Sequence, residues 1–454
     1  MGYSLKQSDF GKAKQGGEFT YFREEDWNSY PFASNEDTKW FREAKYGLFL
    51  HVGISAVGMA EISWPRSTHK LPDPPYWGGG IPDETYDGWA KQLAFPKFNA
   101  KEWASVAKQS GFQYVVIIAK HHDGFHMWDT AYSDYKITNS PFGRDYLKEL
   151  IDAFREAGLK IGVYYSKRDW THPDYEPVPA KDAVATKSAP YFQMKDGKEW
   201  YLTEKHKRYQ EYMFNTVREL MTNYGRIDLL WWDAEYNGGM FTKEMWNSEE
   251  LEKMVRELQP HIIINNRAGL PGDYDTPEGH TGFFQNTRMW ETCMPLGKAW
   301  AYSKGKIKSV KQILAQLINC TGGDGNYLLS IGCKPDGSIA ENEAQRMKEV
   351  GAWLEKYGES VYKTNGGIWK PTKKYAACFK GNTVYLHILN GLPVQHFSLP
   401  FQNNTLKSCT CLTGEKVKVK AKDGKLHITV FGRKPNAPDT VLKIKLKNQP
   451  IMEN

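Results

Sequence analysis

The stretch IDLLWWD at residues 227–233, followed by AEYNGG at 234–239, decides the fold. It is a largely apolar run that ends on a carboxylate before turn residues, which is typical of a strand buried on both faces of a parallel sheet. In α/β barrels the chemistry lies at the carboxyl ends of such strands, so Asp233 is expected to face a pocket. The alternative is that Asp233 caps the next helix, because Asp is a common cap after a strand.

The same strand-and-helix unit recurs along most of the chain. Residues 114–119 and 160–166 are predicted strands, and each follows a helix that begins after a capping residue, Asn99 or Asp145. Repeated units of about 30 residues predict an α/β fold, and four or more of them favour a closed (β/α)8-like TIM barrel. Other predicted strands lie at 45–53, 261–267 and 325–332, and residues 283–300 are predicted to hold a further strand with its loop. Helices are predicted at 207–224, 310–320 and 341–357, and a polar loop at 272–278.

The pattern changes after about residue 358. Before it, we predict an N-terminal arm plus the catalytic barrel at residues 1–358, the arm being residues 1–38. After it, short alternating strands separated by turn residues predict an antiparallel β-sandwich at residues 359–454. The strands expected there are 376–379, 383–389, 406–412, 416–420, 426–431 and 441–447.

Composition excludes several classes of protein. The chain has 454 residues with 60 Lys and Arg against 53 Asp and Glu, a net charge of +7 that is mild for this length. No block of Lys and Arg stands out except near the C-terminus, so the sequence does not predict a nucleic-acid partner. No apolar run approaches the length of a membrane span, and six cysteines without a metal-like CxxC pair are predicted to be free. The 16 Trp, 26 Tyr and 21 Phe suit stacking against a sugar-like ligand, or simply a large core.

Polar groups follow five successive predicted strands. The two carboxylates among them, Asp233 and Glu278, are candidates for a nucleophile and a general acid/base, the pair that retaining glycosidases hold about 5 to 5.5 Å apart. Histidines and an arginine would bond sugar hydroxyls and keep the nucleophile ionised. A long loop at residues 55–87 would wall the pocket. The strand-end groups are His51, His121, His122, Tyr164 or Tyr165, and Arg267, and the loop candidates are Glu61, Trp64, Arg66, His69, Tyr76 and Trp77.

The competing interpretation of these residues is a metal site. His121, His122 and Asp233 are ligand types that zinc or iron accepts. Adjacent residues on an extended chain point in opposite directions, however, and the chain contains neither HxH nor HExxH. One of the two histidines could also be an ordinary core residue. We therefore expect no metal.

At these same positions the sequence resembles the retaining α-L-fucosidase family (glycoside hydrolase family 29 type). Residues 40–51 are similar to that family's opening strand, and residues 120–125 with Trp128 to its paired-histidine signature. The similarity spans roughly residues 40–370, and it is specific because the motifs occur as a set in order. The other matching segments are residues 158–166, Trp232-Asp233, Asn266-Arg267, residues 326–331 and residues 334–337.

The resemblance implies a barrel with a C-terminal β-sandwich that releases terminal α-L-fucose with retention and without metal or cofactor. Asp233 would be the nucleophile, and Glu278 the acid/base, with Glu291 as the alternative. The substrate would be a fucosylated oligosaccharide or glycoconjugate, and the location periplasmic, secreted or lysosomal; no oligomeric state is predicted. The residues expected to hold the sugar are His51, His121, His122, Tyr164, Trp232, Arg267 and Trp64.

The chain departs from the family's usual residues beside the expected pocket. Val52 stands where Trp is usual, and the segment Glu61-Ile62-Ser63-Trp64 stands for a Glu-Trp-Tyr motif. Ser330 and Cys333 replace Asn and Pro. These changes keep two alternatives open: a related α-L-pyranosidase such as an α-L-galactosidase, or a carbohydrate-binding protein that has lost turnover.

Overall fold

Eight parallel strands form a nearly closed barrel in this computed structural model. In chain order each strand pairs with the next, and the first, Tyr46–Leu50, also pairs with the last, Asn326–Ile331. A single bridge between Asn265 and Tyr274 joins the remaining pair of strands. The structure describes residues 24–68, 80–175, 183–185, 192–194, 203–233, 243–281, 284–390, 393–401, 406–434 and 437–450.

The barrel strands are short and buried on both faces, as the apolar runs predict. Inward-facing residues such as Phe49, Tyr164, Trp231 and Leu328 fill the barrel, and their neighbours face the helices. A small hairpin lies between the third and fourth barrel strands. The strands of this region are β1 (Tyr46–Leu50), β2 (Tyr114–Lys120), β3 (Lys160–Ser166), β4 (Ala183–Ala185), β5 (Phe192–Met194), β6 (Leu229–Asp233), β7 (Ile263–Ile264), β8 (Tyr274–Asp275), β9 (Met289–Pro295) and β10 (Asn326–Ile331).

Helices cover the outside of the barrel. The predicted capping residues are confirmed: the Asn99 side chain accepts from Lys101 N and Glu102 N, and the Asp145 side chain accepts from Lys148 N. The helices are α1 (Glu24–Ser29), α2 (Asn35–Ala44), α3 (Asp83–Gly88), α4 (Ala100–Gln109), α5 (Tyr146–Glu156), α6 (Glu204–Asn223), α7 (Lys243–Trp246), α8 (Ser248–Leu258), α9 (Val310–Gly322) and α10 (Glu341–Tyr357).

The barrel is irregular between β7 and β9. Within the described residues, no α-helix follows β7 or β8 before the next strand. The expected polar loop at 272–278 is wrong in part, because it contains β8, a strand of two residues that is too short to produce an alternating pattern. This departure matters for the site, because the β7–β8 and β8–β9 connections carry Arg267 and Glu278.

The predicted arm packs against the same side of the barrel. Tyr30 donates to Glu252 Oε2 on α8 at 2.6 Å, and Ala33 N donates to Asp273 Oδ1 at 2.8 Å. Residues 1–23 of the arm lie outside the described residues. The described part therefore ties the start of the chain to the β7–β8 region.

Two antiparallel sheets follow the barrel and pack face to face. Their facing apolar residues, among them Leu386, Ile428 and Leu442, form one core, which confirms the β-sandwich. The boundary at residue 358 stays a prediction. One strand was missed, β13, because its residues are mostly polar or exposed. The sheets have the orders β11-β12-β17-β14 and β13-β16-β15, with β11 (Tyr375–Lys380), β12 (Thr383–Ile388), β13 (Val394–Pro400), β14 (Leu406–Cys411), β15 (Lys416–Lys422), β16 (Lys425–Phe431) and β17 (Thr440–Leu446).

Two further expectations concern cysteines and membranes. All six cysteines are free, as predicted. Among the helices that the structure describes, none combines the length and apolarity needed to cross a bilayer.

Gly351 allows α10 to approach the end of α4. A Cβ at this position would overlap the Gln109 carbonyl and the Ser110 backbone. We predict that Gly351→Ala lowers the free energy of unfolding by about 3 kcal/mol, because the two backbones must separate. Gly88→Ala, where a Cβ meets nothing within 4 Å, serves as the control and should stay within about 1 kcal/mol of wild type. Urea unfolding of both variants checks this, and equal stability of the two would contradict it.

Candidate active site

The candidate pocket lies at the carboxyl ends of the barrel strands and centres on Asp233, the last residue of β6. Its Oδ2 accepts a hydrogen bond of 2.6 Å from the Tyr164 hydroxyl, which projects from the neighbouring strand β3. Its Oδ1 accepts from Arg267 Nη1 at 3.0 Å. Asp233 is thus held by groups from β3 and from the β7–β8 connection, and it does not lie at the start of the next described helix, which begins at Lys243.

The charge of Asp233 is stabilised although the side chain is buried. Burial by itself would raise the pKa of this carboxyl, but the Arg267 guanidinium and the Tyr164 hydroxyl outweigh it and hold the pKa below its usual value. Asp233 is therefore an ionised carboxylate at neutral pH, which is the form a nucleophile needs.

Arg267 links the two predicted carboxylates. Its Nη2 donates to Glu278 Oε2 at 2.9 Å while Nη1 holds Asp233. Its Nε donates to Thr276 Oγ1 at 2.8 Å, and its guanidinium lies over the Trp231 ring, 4.5 Å from the ring centroid. The structure thus brings Asp233 and Glu278 to one cation. The Glu278 side chain is 36% exposed, against 7% for Asp233, so Glu278 lies nearer to solvent.

Three histidines lie beside Asp233, and each has its Nδ1 bonded to a serine hydroxyl. The His121 and His122 rings are only 4.1 Å apart between centroids, so the expectation that they point in opposite directions is wrong. The reason is that β2 ends at Lys120 with a register shift, and the pair lies in the turn that follows. The three pairs are His51–Ser330 at 2.7 Å, His121–Ser63 at 2.6 Å and His122–Ser166 at 2.6 Å.

The hydrogen bonds of Ser330 define the tautomer of His51. The Ser330 hydroxyl donates to the Trp300 carbonyl at 3.1 Å, so it accepts from His51 Nδ1–H. Burial lowers the pKa of His51 to about 3 although nearby Asp233 acts to raise it, so the ring is neutral. His51 Nε2 is then a hydrogen-bond acceptor.

Ser63 connects His121 to the residue that follows the histidine pair. The Ser63 oxygen accepts from Asp123 N at 3.0 Å and lies 2.6 Å from His121 Nδ1. Burial, together with the neighbouring histidines, lowers the pKa of His121 well below its usual value. The His121 ring is therefore neutral, like that of His51, and the two rings can bond hydroxyl groups without adding charge to the pocket.

Aromatic side chains form the walls of the pocket. Trp64 meets the His122 ring edge-on at 5.3 Å, as the prediction of a wall residue requires. Trp300, which sequence reasoning missed, lies 5.3 Å from the His51 ring. The Glu61 carboxylate accepts from the backbone N–H groups of Trp300 and Ala301 and so fixes this second wall. No local pattern marks Trp300, because its loop is irregular.

None of the other candidates from the loop at residues 55–87 adds a described wall residue to the pocket. Arg66 forms a bidentate pair with Asp87, at 2.9 Å from both Nε and Nη2, and is thereby held within its own loop. His69, Tyr76 and Trp77 lie outside the described residues.

Trp232 lies on the other side of the sheet from the pocket. Successive side chains of a strand alternate, so Trp231 faces the barrel interior and Trp232 faces the helices. There it packs edge-on against Tyr165, at 6.0 Å between centroids. The expectation that Trp232 contacts a sugar is corrected by this alternation, and Tyr164, rather than Tyr165, is the tyrosine at Asp233.

Glu291 lies at the opposite end of the barrel from Asp233. It pairs in register with Asn326, the first residue of β10, and its carboxylate accepts from the Tyr114 hydroxyl and from Trp231 Nε1 at 3.1 Å. Burial raises the pKa of Glu291 to about 7 despite these hydrogen bonds. Its surroundings are barrel interior, so its placement does not support the role of alternative acid/base.

The three residues of the competing metal-site interpretation do lie close together. Ligand atoms of His121, His122 and Asp233 lie within 4.8 Å of one another. Both Asp233 oxygens are already bonded, however, and a metal cation there would face the Arg267 guanidinium. The donor set therefore fits a metal poorly.

A parallel barrel whose pocket joins two carboxylates through one arginine, among histidines and tryptophans, defines a glycoside hydrolase. A family model described as Alpha-L-fucosidase matches residues 20–359, so the chain belongs to the α-L-fucosidase family. This confirms the resemblance, the fold class and the expectation of an enzyme.

Known proteins agree with this assignment. The chain is 32% identical to the α-L-fucosidase isoenzyme 1 of Paenibacillus thiaminolyticus, with a TM-score of 0.75 over 91% of this chain and 99% of that one. It is 28% identical to the plasma α-L-fucosidase of Pongo abelii, over 72% of this chain and 70% of the relative. It is 27% identical to the tissue α-L-fucosidase of Mus musculus, over 92% of each.

The raised pKa of Glu291 predicts a pH-dependent stability. A carboxyl whose pKa is raised from 4.5 to about 7 stabilises the fold fully below pH 4.5, and this contribution is lost as pH rises through 7. Glu291→Gln mimics the protonated acid, so relative to wild type it should gain about 3 kcal/mol between pH 4.5 and pH 8. Urea unfolding at both pH values measures this. The exposed control Glu156→Gln should show no such gain, and a Glu291→Gln difference that is independent of pH would contradict the assignment.

Proposed function

We propose that this chain is an exo-acting retaining α-L-fucosidase that releases terminal α-L-fucose from glycans. The observation that carries the proposal is the single guanidinium of Arg267 bonded to both Asp233 and Glu278. Two carboxylates that share one guanidinium lie close together, as the double displacement of retaining glycosidases requires. The other side chains proposed to hold the sugar are His51, His121, His122, Tyr164 and Trp64.

In the first step, Asp233 Oδ attacks the anomeric carbon and the bond to the leaving oxygen breaks. Its ionisation, supported by Arg267 and Tyr164, suits this role. Glu278 supplies the proton to the leaving oxygen. Water then attacks the same carbon, Glu278 takes its proton, and Asp233 is released, so that the configuration is retained.

The position of Glu278 supports its proposed role. Its side chain is partly exposed, so a leaving group can depart past it and water can enter. Asp233, by contrast, is buried, which protects a glycosyl-enzyme from competing nucleophiles. The neutral His51 and His121 rings can bond sugar hydroxyls without adding charge to the pocket.

The two alternatives give different results in a simple assay. A pocket that accepts α-L-galactose must tolerate one more hydroxyl, and apolar pockets reject an added hydroxyl only modestly, so the matched galactoside belongs in the test. A binding protein without turnover would lack a usable carboxylate, whereas both carboxylates here share Arg267. A periplasmic, secreted or lysosomal location is part of the proposal, supported by the name of the plasma relative.

For Asp233→Asn, we predict that turnover of 4-nitrophenyl α-L-fucoside falls by about a thousandfold or more, because the nucleophile is lost. Asp233→Gly should behave alike, but azide should restore part of its activity and give a fucosyl azide of inverted configuration. Nitrophenol release and NMR of the product measure these outcomes. Full activity of Asp233→Asn would remove the nucleophile assignment. If wild type instead prefers the galactoside, the alternative glycone is correct.

Glu278→Gln and Glu291→Gln form a matched pair that tests the acid/base. For Glu278→Gln, turnover of a fucosylated disaccharide should fall by about 10²- to 10⁴-fold, because its leaving group needs a proton. Formation of the glycosyl-enzyme from the nitrophenyl substrate should stay fast, so a burst of nitrophenol precedes slow turnover. Glu291→Gln should keep both activities at pH 5. The reverse result would exchange the two roles.

A further inference from the structure

The outer face of the three-stranded sheet β13-β16-β15 carries a concentration of positive charge. We call this surface the basic face. Residues directly opposite one another in the ladder project on the same side, and their alternating neighbours, among them Val419, Ile428 and Leu399, fill the sandwich core. The twelve outward positions are Val394, His396, Ser398 and Pro400 of β13, Lys425, His427, Thr429 and Phe431 of β16, and Lys416, Lys418, Lys420 and Lys422 of β15.

Five lysines occupy these twelve positions and no carboxylate does. The chain as a whole has 60 basic against 53 acidic residues, so the imbalance is local. Lys422 lies 3.6 Å from Asp423 in the adjacent turn. Within the described part of the chain, no ion pair within 4.0 Å involves Lys416, Lys418, Lys420 or Lys425. The basic face therefore presents cations whose charge is not balanced by neighbours.

Imidazole and hydroxyl groups lie among these lysines. His396 Nδ1 and Thr429 Oγ1 are 2.8 Å apart, as are His427 Nδ1 and Ser398 Oγ. Each bond uses Nδ1 and leaves Nε2 as the ring atom that can meet a ligand. At one end Phe431, with Lys418 over its ring, and the exposed Val394 add a small apolar surface.

Protection of a sheet edge explains only part of this pattern. Lysines on an edge strand prevent pairing with other chains, and β15 is such a strand. That reason does not extend to Lys425 and His427, because they lie on the central strand β16. Along a strand, alternate residues are about 6.8 Å apart, and strands are about 4.8 Å apart, so the face is a grid of side chains about 20 Å long.

We propose that the basic face binds sulfated glycan chains and so holds sulfated, fucosylated substrates on the enzyme. Sulfate esters remain ionised, and their oxygens accept from ammonium and imidazole groups together. A second binding surface on the same chain raises the effective concentration of the glycan at the pocket. The part about substrates rests on the proposed fucosidase activity, but binding itself does not.

The composition of the face favours a glycan over other polyanions. It has no arginine, the residue preferred for bidentate phosphate contacts, and it has no Trp or Tyr, with the half-buried Phe431 as its one Phe, so it offers little of the stacking surface typical of proteins that bind single-stranded nucleic acid. A membrane surface requires a larger apolar area to insert than Val394 and Phe431 supply.

The test titrates dextran sulfate into the full chain by calorimetry at low and high salt. Wild type should bind, with an affinity that falls as salt rises, and Lys418→Gln/Lys420→Gln should weaken binding about tenfold. Lys101→Gln/Lys108→Gln removes the same charge from exposed lysines of α4 and is the matched control, expected to bind like wild type. Turnover of 4-nitrophenyl α-L-fucoside should be equal in all three proteins.

The other possible results reject either the site, the sulfate ligand or the proposed function. Absence of binding, or equal weakening in both double variants, removes the basic face as a site. Equal affinity for carboxymethyl dextran, duplex DNA or anionic phosphatidylserine vesicles removes the assignment to sulfate. Binding of dextran sulfate by a chain that does not hydrolyse the fucoside would leave the basic face intact and reject the proposed function instead.

Discussion

The hydrogen bonds of Arg267 are the constraint on which the pocket depends. A buried carboxylate such as Asp233 is costly unless a cation or strong donors compensate its charge. Arg267 compensates Asp233 and Glu278 together, and Thr276 and the Trp231 ring fix its plane. The region that supplies Arg267 and Glu278 is the one where the barrel lacks regular helices.

The sharing of one cation by two carboxylates suits the proposed chemistry. In the proposed mechanism Asp233 loses its negative charge when it becomes a glycosyl ester. The carboxylate that then remains beside the Arg267 guanidinium is that of Glu278. The positive charge then stabilises a Glu278 carboxylate, the form that takes a proton from water. The neutral His51 and His121 rings do not disturb this balance, because burial keeps both uncharged. In the proposed mechanism the Arg267 guanidinium therefore stays in place and stabilises first Asp233 and then Glu278.

Sequence patterns predict the repeated elements of this fold well and its irregular parts poorly. The apolar run ending at Asp233 and the caps Asn99 and Asp145 follow from local rules, and the structure has them. The strand β8 has two residues and β13 is largely exposed, so neither has a periodic signal. The prediction that Trp232 contacts a sugar is wrong because neighbours on a strand face opposite sides of the sheet, and Trp231 is the one that faces the barrel interior.

The serines beside the histidines show why site details escape sequence reasoning. Ser63, Ser166 and Ser330 lie 58, 44 and 279 residues from their histidines, so nothing local identifies the pairs. A serine hydroxyl both donates and accepts, and the tautomer of each histidine depends on what else that serine bonds. Donor and acceptor properties of the pocket therefore arise from backbone groups such as Asp123 N and the Trp300 carbonyl. Only the folded chain defines them.

Glu291 is connected to the pocket through contacts in the interior of the barrel. Its carboxyl group bonds Tyr114 and Trp231, and the Trp231 ring stacks on Tyr164 and lies beneath Arg267. A column of contacts therefore runs from the amino ends of the strands to Asp233. Both groups that hold Asp233 touch Trp231, so its ring position fixes the direction from which they reach the carboxylate. The buried Glu291 carboxyl positions Trp231 by accepting its Nε1–H hydrogen bond. The pKa of Glu291 is raised because this carboxyl lies in a barrel interior that is otherwise filled with apolar side chains.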